Sequence, residues 1–223
     1  MENNEVRIIN FHGIGTPSRK LENGEGPYWI EEEKYLQILD LIEPVKHRVQ
    51  ITFDDGNASD LEIGVPGLEK RGLKATFFPL AGRVDKQGSL SSEGLRELLR
   101  ARHKVGSHGH GHMSWKELDE RSERTELVDA RALLEDYIGQ SISEAAIPFG
   151  LYGRNTLRQL KAHGYKRVYS SDGGGFQGSP YPVPRWSVRE DTSLEDVSAF
   201  LSGRESVLRR LRRGIAKAKK QII

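Results

Sequence analysis

The feature that most constrains this chain is where its imidazoles and carboxylates fall: each cluster follows directly on a short β-rich run. Val6-Arg-Ile-Ile-Asn-Phe11 ends at His12-Gly13, Val49–Phe53 ends at Asp54-Asp55-Gly56, and Val105–Ser107 ends at His108-Gly-His110-Gly-His112. Ala75–Phe78, Ala145–Ile147 (stopped by Pro148) and Arg167–Ser170 (running into Asp172-Gly-Gly-Gly175) are further runs of the same kind. Helical patterns lie between them, over Glu32–Ile42, Leu61–Arg71, Ser92–Arg102, Glu117–Ile138 and Asn155–His163. Strands alternating with helices through short connections imply an α/β protein with a parallel sheet, open or closed into a barrel. In parallel α/β barrels the C-terminal strand ends form the rim where active sites sit, so three remote segments are expected to meet there.

Composition narrows the chemistry. At 223 residues the chain can bury a full core as a single domain without a disulfide or structural metal. It has no cysteine, which removes thiolate-bound zinc, iron–sulfur clusters and thiol nucleophiles and leaves carboxylates, imidazoles and hydroxyls. With 34 basic against 32 acidic residues the net charge is +2, which argues against a disordered polyelectrolyte and against a nucleic-acid partner.

The start, Met1-Glu-Asn-Asn-Glu5, does not read as a secretory signal, and no apolar stretch reaches the ~18 residues of a spanning helix. The expected address is therefore cytoplasmic, with one qualification. From Gly203 onward Val207, Leu211, Ile215, Ala218 and Ile222 recur at helical spacing, opposite Arg209, Arg210, Arg212, Arg213, Lys217, Lys219 and Lys220. This basic helix reads as a terminal helix docked on the domain, with weak contact to the inner face of an anionic membrane as the alternative. Residues 12–31 form a Gly-rich loop of lid or binding-loop length, and Asp172–Pro184 is a second irregular segment.

Asp54 and Asp55 would point to opposite faces if the strand pleat continued, so one could ligate a metal while the other met substrate or water. A solvated Asp-Gly turn is the plain alternative. His108 and His112 are four apart, but Gly109 and Gly111 each disfavour helix by ~1 kcal/mol, so a loop or one distorted turn is expected. Two His and one Asp make a three-ligand set with a position left for water, as in catalytic zinc sites. The same set also suits non-haem Fe(II), with nickel or cobalt possible, so the residues leave the metal open, zinc being the first expectation. A magnesium–phosphate site is the other reading of an Asp pair, and the imidazoles speak against it because Mg²⁺ prefers oxygen ligands.

These residues resemble a family, the polysaccharide deacetylases of the NodB-homology type (carbohydrate esterase family 4), over roughly residues 48–190. Thr52-Phe-Asp-Asp-Gly56 matches its first motif, and Ser107-His-Gly-His-Gly-His112 keeps both His of its second, His-Ser/Thr-x-x-His. The resemblance implies a distorted (β/α) barrel in which Asp54 is the catalytic base and Asp55, His108 and His112 bind a divalent metal. His110 would be a bystander or a group behind the ligands. The implied reaction is hydrolysis of an N-acetyl amide on a sugar. The same fold without turnover, a metal- and carbohydrate-binding protein, is the alternative.

Two departures matter. The third motif, Arg-x-Pro-Tyr/Phe-Gly, appears as Ala146-Ile-Pro148-Phe-Gly150 and lacks its Arg, for which Arg185 beside Trp186 is a candidate replacement. The late motif that supplies a general-acid His is missing, since no His follows His163. In a circularly permuted branch of the family an N-terminal strand ending in aromatic-His supplies the acid, and Phe11-His12-Gly13 looks like that element. Residues 1–47 would then carry the acid, 48–190 the motif-bearing barrel and 191–223 the C-terminal helices. Tyr28, Trp29, Trp115 and Trp186 offer faces that could stack on sugars, although aromatics chiefly supply packing area. The expected partner is an N-acetylated sugar, on a nucleotide or lipid carrier or in a glycan under assembly.

Overall fold

The computed structural model describes residues 5–204 and shows an α/β fold. In chain order its strands and α-helices are β1 (Val6–Phe11), β2 (Gly13–Ile14), β3 (Trp29–Ile30), α1 (Glu32–Ile42), β4 (Val49–Asp55), α2 (Val65–Glu69), β5 (Ala75–Pro79), α3 (Ser92–Arg100) and β6 (Lys104–Val105). They continue as α4 (Glu120–Glu123), α5 (Ala130–Ile138), β7 (Glu144–Ala146), α6 (Arg154–Ala162), β8 (Arg167–Ser170), β9 (Gly175–Phe176), β10 (Val183–Pro184), β11 (Trp186–Ser187) and α7 (Leu194–Ser202). The basic stripe expected beyond Gly203 lies outside the described residues. Among those described, no helix is long and apolar enough to cross a membrane.

The main sheet runs β11-β1-β4-β5-β6, all parallel, with β9 added antiparallel to β1. A second parallel sheet runs β10-β8-β7. A parallel bridge between Ser107 and Ala145 joins one edge of the pair. At the other edge Val183–Ser187 pairs β8 with its first half and β1 with its second.

Register at the centre is set by an aromatic ladder. Phe11 lies opposite Phe53, and Phe53 opposite Phe77. Their rings follow at 5.3 and 4.7 Å, fully buried, in the offset contacts aromatic pairs prefer. A slip of one residue would turn this ladder out of the core, so the register is strongly specified. The same ladder places the residues that follow it, His12 and Asp54, side by side. Helix α1 covers the ladder with Tyr35, Ile38, Leu39 and Ile42, the i, i+3, i+4, i+7 stripe, and each of these side chains contributes about 1.5–3 kcal/mol by full burial.

The strand runs and α1 lie where the periodicity puts them, while two helical segments differ. The segment read as Glu117–Ile138 opens with a 3-10 turn at Trp115–Glu117, restarts at the Asp119 cap, and passes through a π-helical stretch at Arg124–Asp129. The segment read as Leu61–Arg71 likewise starts as a π-turn over Asp60–Gly64 before α2. A π-turn adds a residue to the helical repeat and re-aims side chains that a 3.6-residue period would place elsewhere. Of the two-residue strands described, β6 overlaps the run read at Val105–Ser107, while β2, β3, β9, β10 and β11 are too short to leave a periodic signal.

Candidate active site

The Asp pair ends β4, but the pleat does not continue through it. Asp55 takes a φ of +76°, so its carboxylate turns back and both acids line one cavity instead of opposite faces. Asp54 is buried and held by four hydrogen bonds or charge contacts. Arg185 donates from Nη1 to Oδ1 and from Nη2 to Oδ2, both at 2.7 Å, and Asn10 donates from Nδ2 to Oδ2 at 3.0 Å. His12 Nε2 stands 4.0 Å from Oδ2. Burial pushes this carboxyl up, but Arg185, with His108 and His12, outweighs it and holds Asp54 well below the usual carboxylate range.

Arg185 itself lies between β10 and β11 with no exposed surface. Its guanidinium sits over Phe78 and Tyr169, 5.5 and 5.6 Å from the ring centroids, and donates further to Asn10 Oδ1 and Thr52 Oγ1. The planar fork therefore satisfies the acid bidentately while its faces pack on aromatic surface, which an ammonium could not do.

His108 and His112 converge on Asp55. Their Nε2 atoms lie 3.5 and 3.6 Å from Asp55 Oδ1, and one donor atom from each residue fits within a 4.8 Å cluster. The other ring nitrogens are engaged: His108 Nδ1 donates to the Ala146 carbonyl at 2.8 Å, and His112 Nδ1 donates to Glu22 Oε2 at 2.7 Å. Both tautomers are thereby fixed with the Nε2 lone pairs facing the carboxylate. Asp55 Oδ1 is buried and has no hydrogen-bond partner. A buried unpaired carboxylate oxygen costs several kcal/mol unless something cationic answers it. Two imidazole nitrogens and an orphaned oxygen, with outer hydrogen bonds orienting the rings, fit a divalent metal ion.

The loop carrying these His is shaped from outside. Gly109 adopts φ +85°, and a Cβ there would lie 2.2 Å from Glu126 Oε2. Glu126 is buried and accepts from the N–H groups of His110 (3.0 Å), Gly111 (2.8 Å) and the Trp115 indole (3.3 Å). It reaches the loop from the π-turn that interrupts the expected helix. The Ala81 and Gly82 N–H groups, just beyond β5, donate to the carbonyls of Gly109 and His110 and stitch the loop to the sheet.

The resulting cavity measures about 250 Å³ and is walled by His12, Tyr28, Glu22, Ile147, Phe149 and Ser187 around the two Asp and two His. His12 stacks on Tyr28 at 4.7 Å, and its Nδ1 is buried without a partner. Phe149, at φ +57°, turns outward and lays its ring on His112 at 4.3 Å.

Trp29, Trp115, Trp186 and Pro148, which the sequence offers for substrate contact or support, do not line the cavity, and His110 stands where a bystander would. Trp29 is buried against the open face of Gly13, where a Cβ would come within 2.1 Å of its ring. Trp186 packs on Phe200 of α7 at 4.7 Å. Pro148 is buried behind the wall its neighbours Ile147 and Phe149 form. His110 is held by its backbone, and its ring covers Gly82 instead of turning to Asp55. Trp115 is fully buried as well. The residues missed are Asn10, Glu22, Glu126, Phe149 and Ser187: Asn10 lies in the first strand run and Phe149 in the third motif, while Glu22, Glu126 and Ser187 are common residue types whose spacing carries no motif.

Comparison with known proteins supplies a family and a fold for the chain. Residues 42–168 match the family model described as Polysaccharide deacetylase. YxkH of Bacillus subtilis, whose name places it among the polysaccharide deacetylases, is 26% identical over 183 residues, 76% of this chain and 66% of its own. The peptidoglycan deacetylase of Helicobacter pylori is 28% identical over 141 residues, 60% of this chain and 46% of its own. The chain thus spans 66% and 46% of the lengths of these two curated relatives. Among solved structures, a polysaccharide deacetylase from Bacillus cereus superposes with TM-score 0.76 at 18% identity, covering 88% of this chain and 69% of that one. IcaB from Ammonifex degensii gives 0.73 at 20% identity, covering 89% and 97%. At such identities these likenesses speak for the fold. The matched stretch runs from before β4 into β8, contains Asp54, Asp55, His108 and His112, and covers more than half of the sequence: the chain belongs to the polysaccharide deacetylase family.

Proposed function

We propose that the protein is a metal-dependent de-N-acetylase that hydrolyses the acetamide of an N-acetylated sugar. The observation that carries this reading is the orphaned Asp55 Oδ1 facing two Nε2 lone pairs, beside an Asp54 locked by Arg185. Asp55, His108 and His112 would hold the ion, with zinc favoured by the nitrogen-rich donor set and nickel, cobalt or iron compatible with it. When bound, such a cation polarises a carbonyl and brings the pKa of water toward neutrality.

The chain's own residues supply the rest. Asp54 is ionised and takes the proton of the attacking water, and its two hydrogen-bonding neighbours hold it from rotating away. His12, 4.0 Å from Asp54 Oδ2, gives a proton to the leaving amine from the opposite wall. Arg185 takes the place of the Arg that Ala146 lacks. Tyr28, Ile147 and Phe149 enclose the acetamide. A cavity of about 250 Å³ lies just below the usual ~300–1,000 Å³ of ligand sites, which suits one acetamido group and part of one ring, with the remaining glycan or carrier outside.

Two structural readings belong to the same proposal. The bridge at Ser107–Ala145 and the double pairing of Val183–Ser187 support a closed, distorted barrel. The parallel pairing of β1 with β4, which sets His12 beside Asp54 from outside the matched stretch, supports circular permutation of the acid-bearing strand. A cytoplasmic location completes the reading.

The test is acetate release from a panel of N-acetylglucosamine oligomers and nucleotide- and lipid-linked N-acetyl sugars, with zinc, cobalt or nickel supplied. Wild-type protein is expected to release acetate and Asp54→Asn to lose nearly all of it. Absence of Asp54-dependent acetate with every metal would leave the binding-protein reading in its place.

A further inference from the structure

Glu22 comes from the 12–31 loop, outside the stretch matching the family model, yet it reaches a ligand candidate ninety residues away. Its Oε2 accepts from His112 Nδ1 at 2.7 Å, and its Oε1 pairs with the Arg83 guanidinium. The backbone around it is closed on itself: Glu22 N–H donates to Glu25 Oε2 at 2.8 Å, and Glu25 N–H returns to the Glu22 carbonyl at 3.2 Å. Glu25 is buried and ion-paired with Arg19, which also donates to Asn57 Oδ1 at 2.7 Å, two residues past Asp55. Although about half of the Glu22 side chain is exposed, its carboxylate is oriented from both sides.

We infer that Glu22 is a positioning residue that couples the 12–31 loop to the metal centre, so that ion binding and closure of this pocket wall favour each other. The inference rests on reading Asp55, His108 and His112 as a metal site. Glu22 fixes the His112 ring with Nε2 toward Asp55 and makes that nitrogen a better donor, as carboxylates behind metal-bound imidazoles do. Loss of such a partner typically weakens metal binding about 10–100-fold. Linkage makes the effect reciprocal: the ion must favour the Glu22-engaged loop by the same factor. Closure matters because residues 22–25 and Tyr28 form one side of the cavity. The ion would thereby help to build the sugar site as well as the reacting centre.

The test uses zinc and the full chain at pH 7.5. Zinc affinity is measured by competition with a chromophoric chelator for wild type, Glu22→Ala and Glu22→Gln, and amide hydrogen exchange over residues 18–26 is followed with and without zinc. Glu22→Ala is expected to bind about 10–100-fold more weakly, with Glu22→Gln, which keeps an acceptor oxygen, in between. Zinc should slow exchange of the wild-type loop by a similar factor and leave that of Glu22→Ala nearly unmoved. Equal zinc affinity in wild type and Glu22→Ala, or a wild-type loop indifferent to zinc, overturns the inference while sparing the metal site. Failure of wild type to bind zinc overturns the metal reading and this inference with it. A Glu22→Ala protein that melts far lower without metal is judged by Glu22→Gln: wild-type affinity there overturns the proposal, and intermediate affinity supports it.

Discussion

Replacing Arg185 by Met removes the guanidinium that answers a buried Asp54 on both of its oxygens. Asp54 is 3% exposed and Arg185 not at all, and the pair shares two 2.7 Å hydrogen bonds. Breaking a buried pair from one side typically costs about 3–5 kcal/mol, because the surviving charge is left in a low-dielectric site. Met recovers some packing on Phe78 and Tyr169, since thioethers sit well against ring edges, so the lower half of that range is expected. Against a total stability of roughly 5–15 kcal/mol a loss of about 3–4 kcal/mol is a large fraction, and for a chain of this size it corresponds to a fall in Tm of about 6–16 °C. The assay is urea unfolding of wild type, Arg185→Met, Asp54→Asn and the double variant. Each single change strands a charge or dipole that the double change removes, so the two costs should fail to add by at least ~2 kcal/mol. A loss below ~1 kcal/mol for Arg185→Met, or additive costs in the double variant, would refute the view that the pair is a buried, mutually dependent unit.

Three further outcomes are expected. His12→Gln should lower kcat by about 10²–10⁴-fold with zinc affinity unchanged, measured as acetate release beside chelator competition; an unaffected rate removes His12 from proton transfer. Gly109→Ala should weaken zinc binding and destabilise the fold by more than the ~1–2 kcal/mol of a left-handed alanine, because its Cβ also meets Glu126 at 2.2 Å; near-wild-type stability in thermal melts would contradict this. His103 is buried with its Nδ1 accepting the Ala75 N–H at 3.2 Å, and burial, helped by Lys74, lowers its pKa to about 4. The unfolded chain therefore binds the extra proton first as pH falls below ~6.5, and stability drains away through pH 4, with a loss on the order of 2 kcal/mol already at pH 5. Urea midpoints at pH 7 and pH 5 check the sign: wild type should lose more than His103→Gln, and an equal loss would place the acid sensitivity elsewhere.

What the amino-acid order determined by itself is local. The β-rich runs, the stripe of α1 and the residues that follow each strand could be read because burial imposes a period of two or about 3.6 on neighbouring positions. The placing of His12, Asp54-Asp55 and His108–His112 at strand ends needed only a parallel sheet to bring them to one rim, and Phe11, Phe53 and Phe77 enforce that register. Two imidazoles and a carboxylate in this setting were already enough to suggest a metal. Tertiary structure alone decided the contacts that make those groups work together. Arg185 and Asp54 are 131 residues apart: the sequence offers Arg185 as a stand-in for the missing motif Arg, but only the fold lays its guanidinium on both Asp54 oxygens. Glu22 and Glu126 are ordinary acids in sequence, and only a folded loop and a π-turn aim them at the His segment. The left-handed Asp55, which turns two adjacent carboxylates into one cavity, sits beside a Gly56 turn pressed against Pro79 and follows no periodic pattern. Side-chain direction at a strand end is settled by what packs around it, and that information is spread over the whole chain.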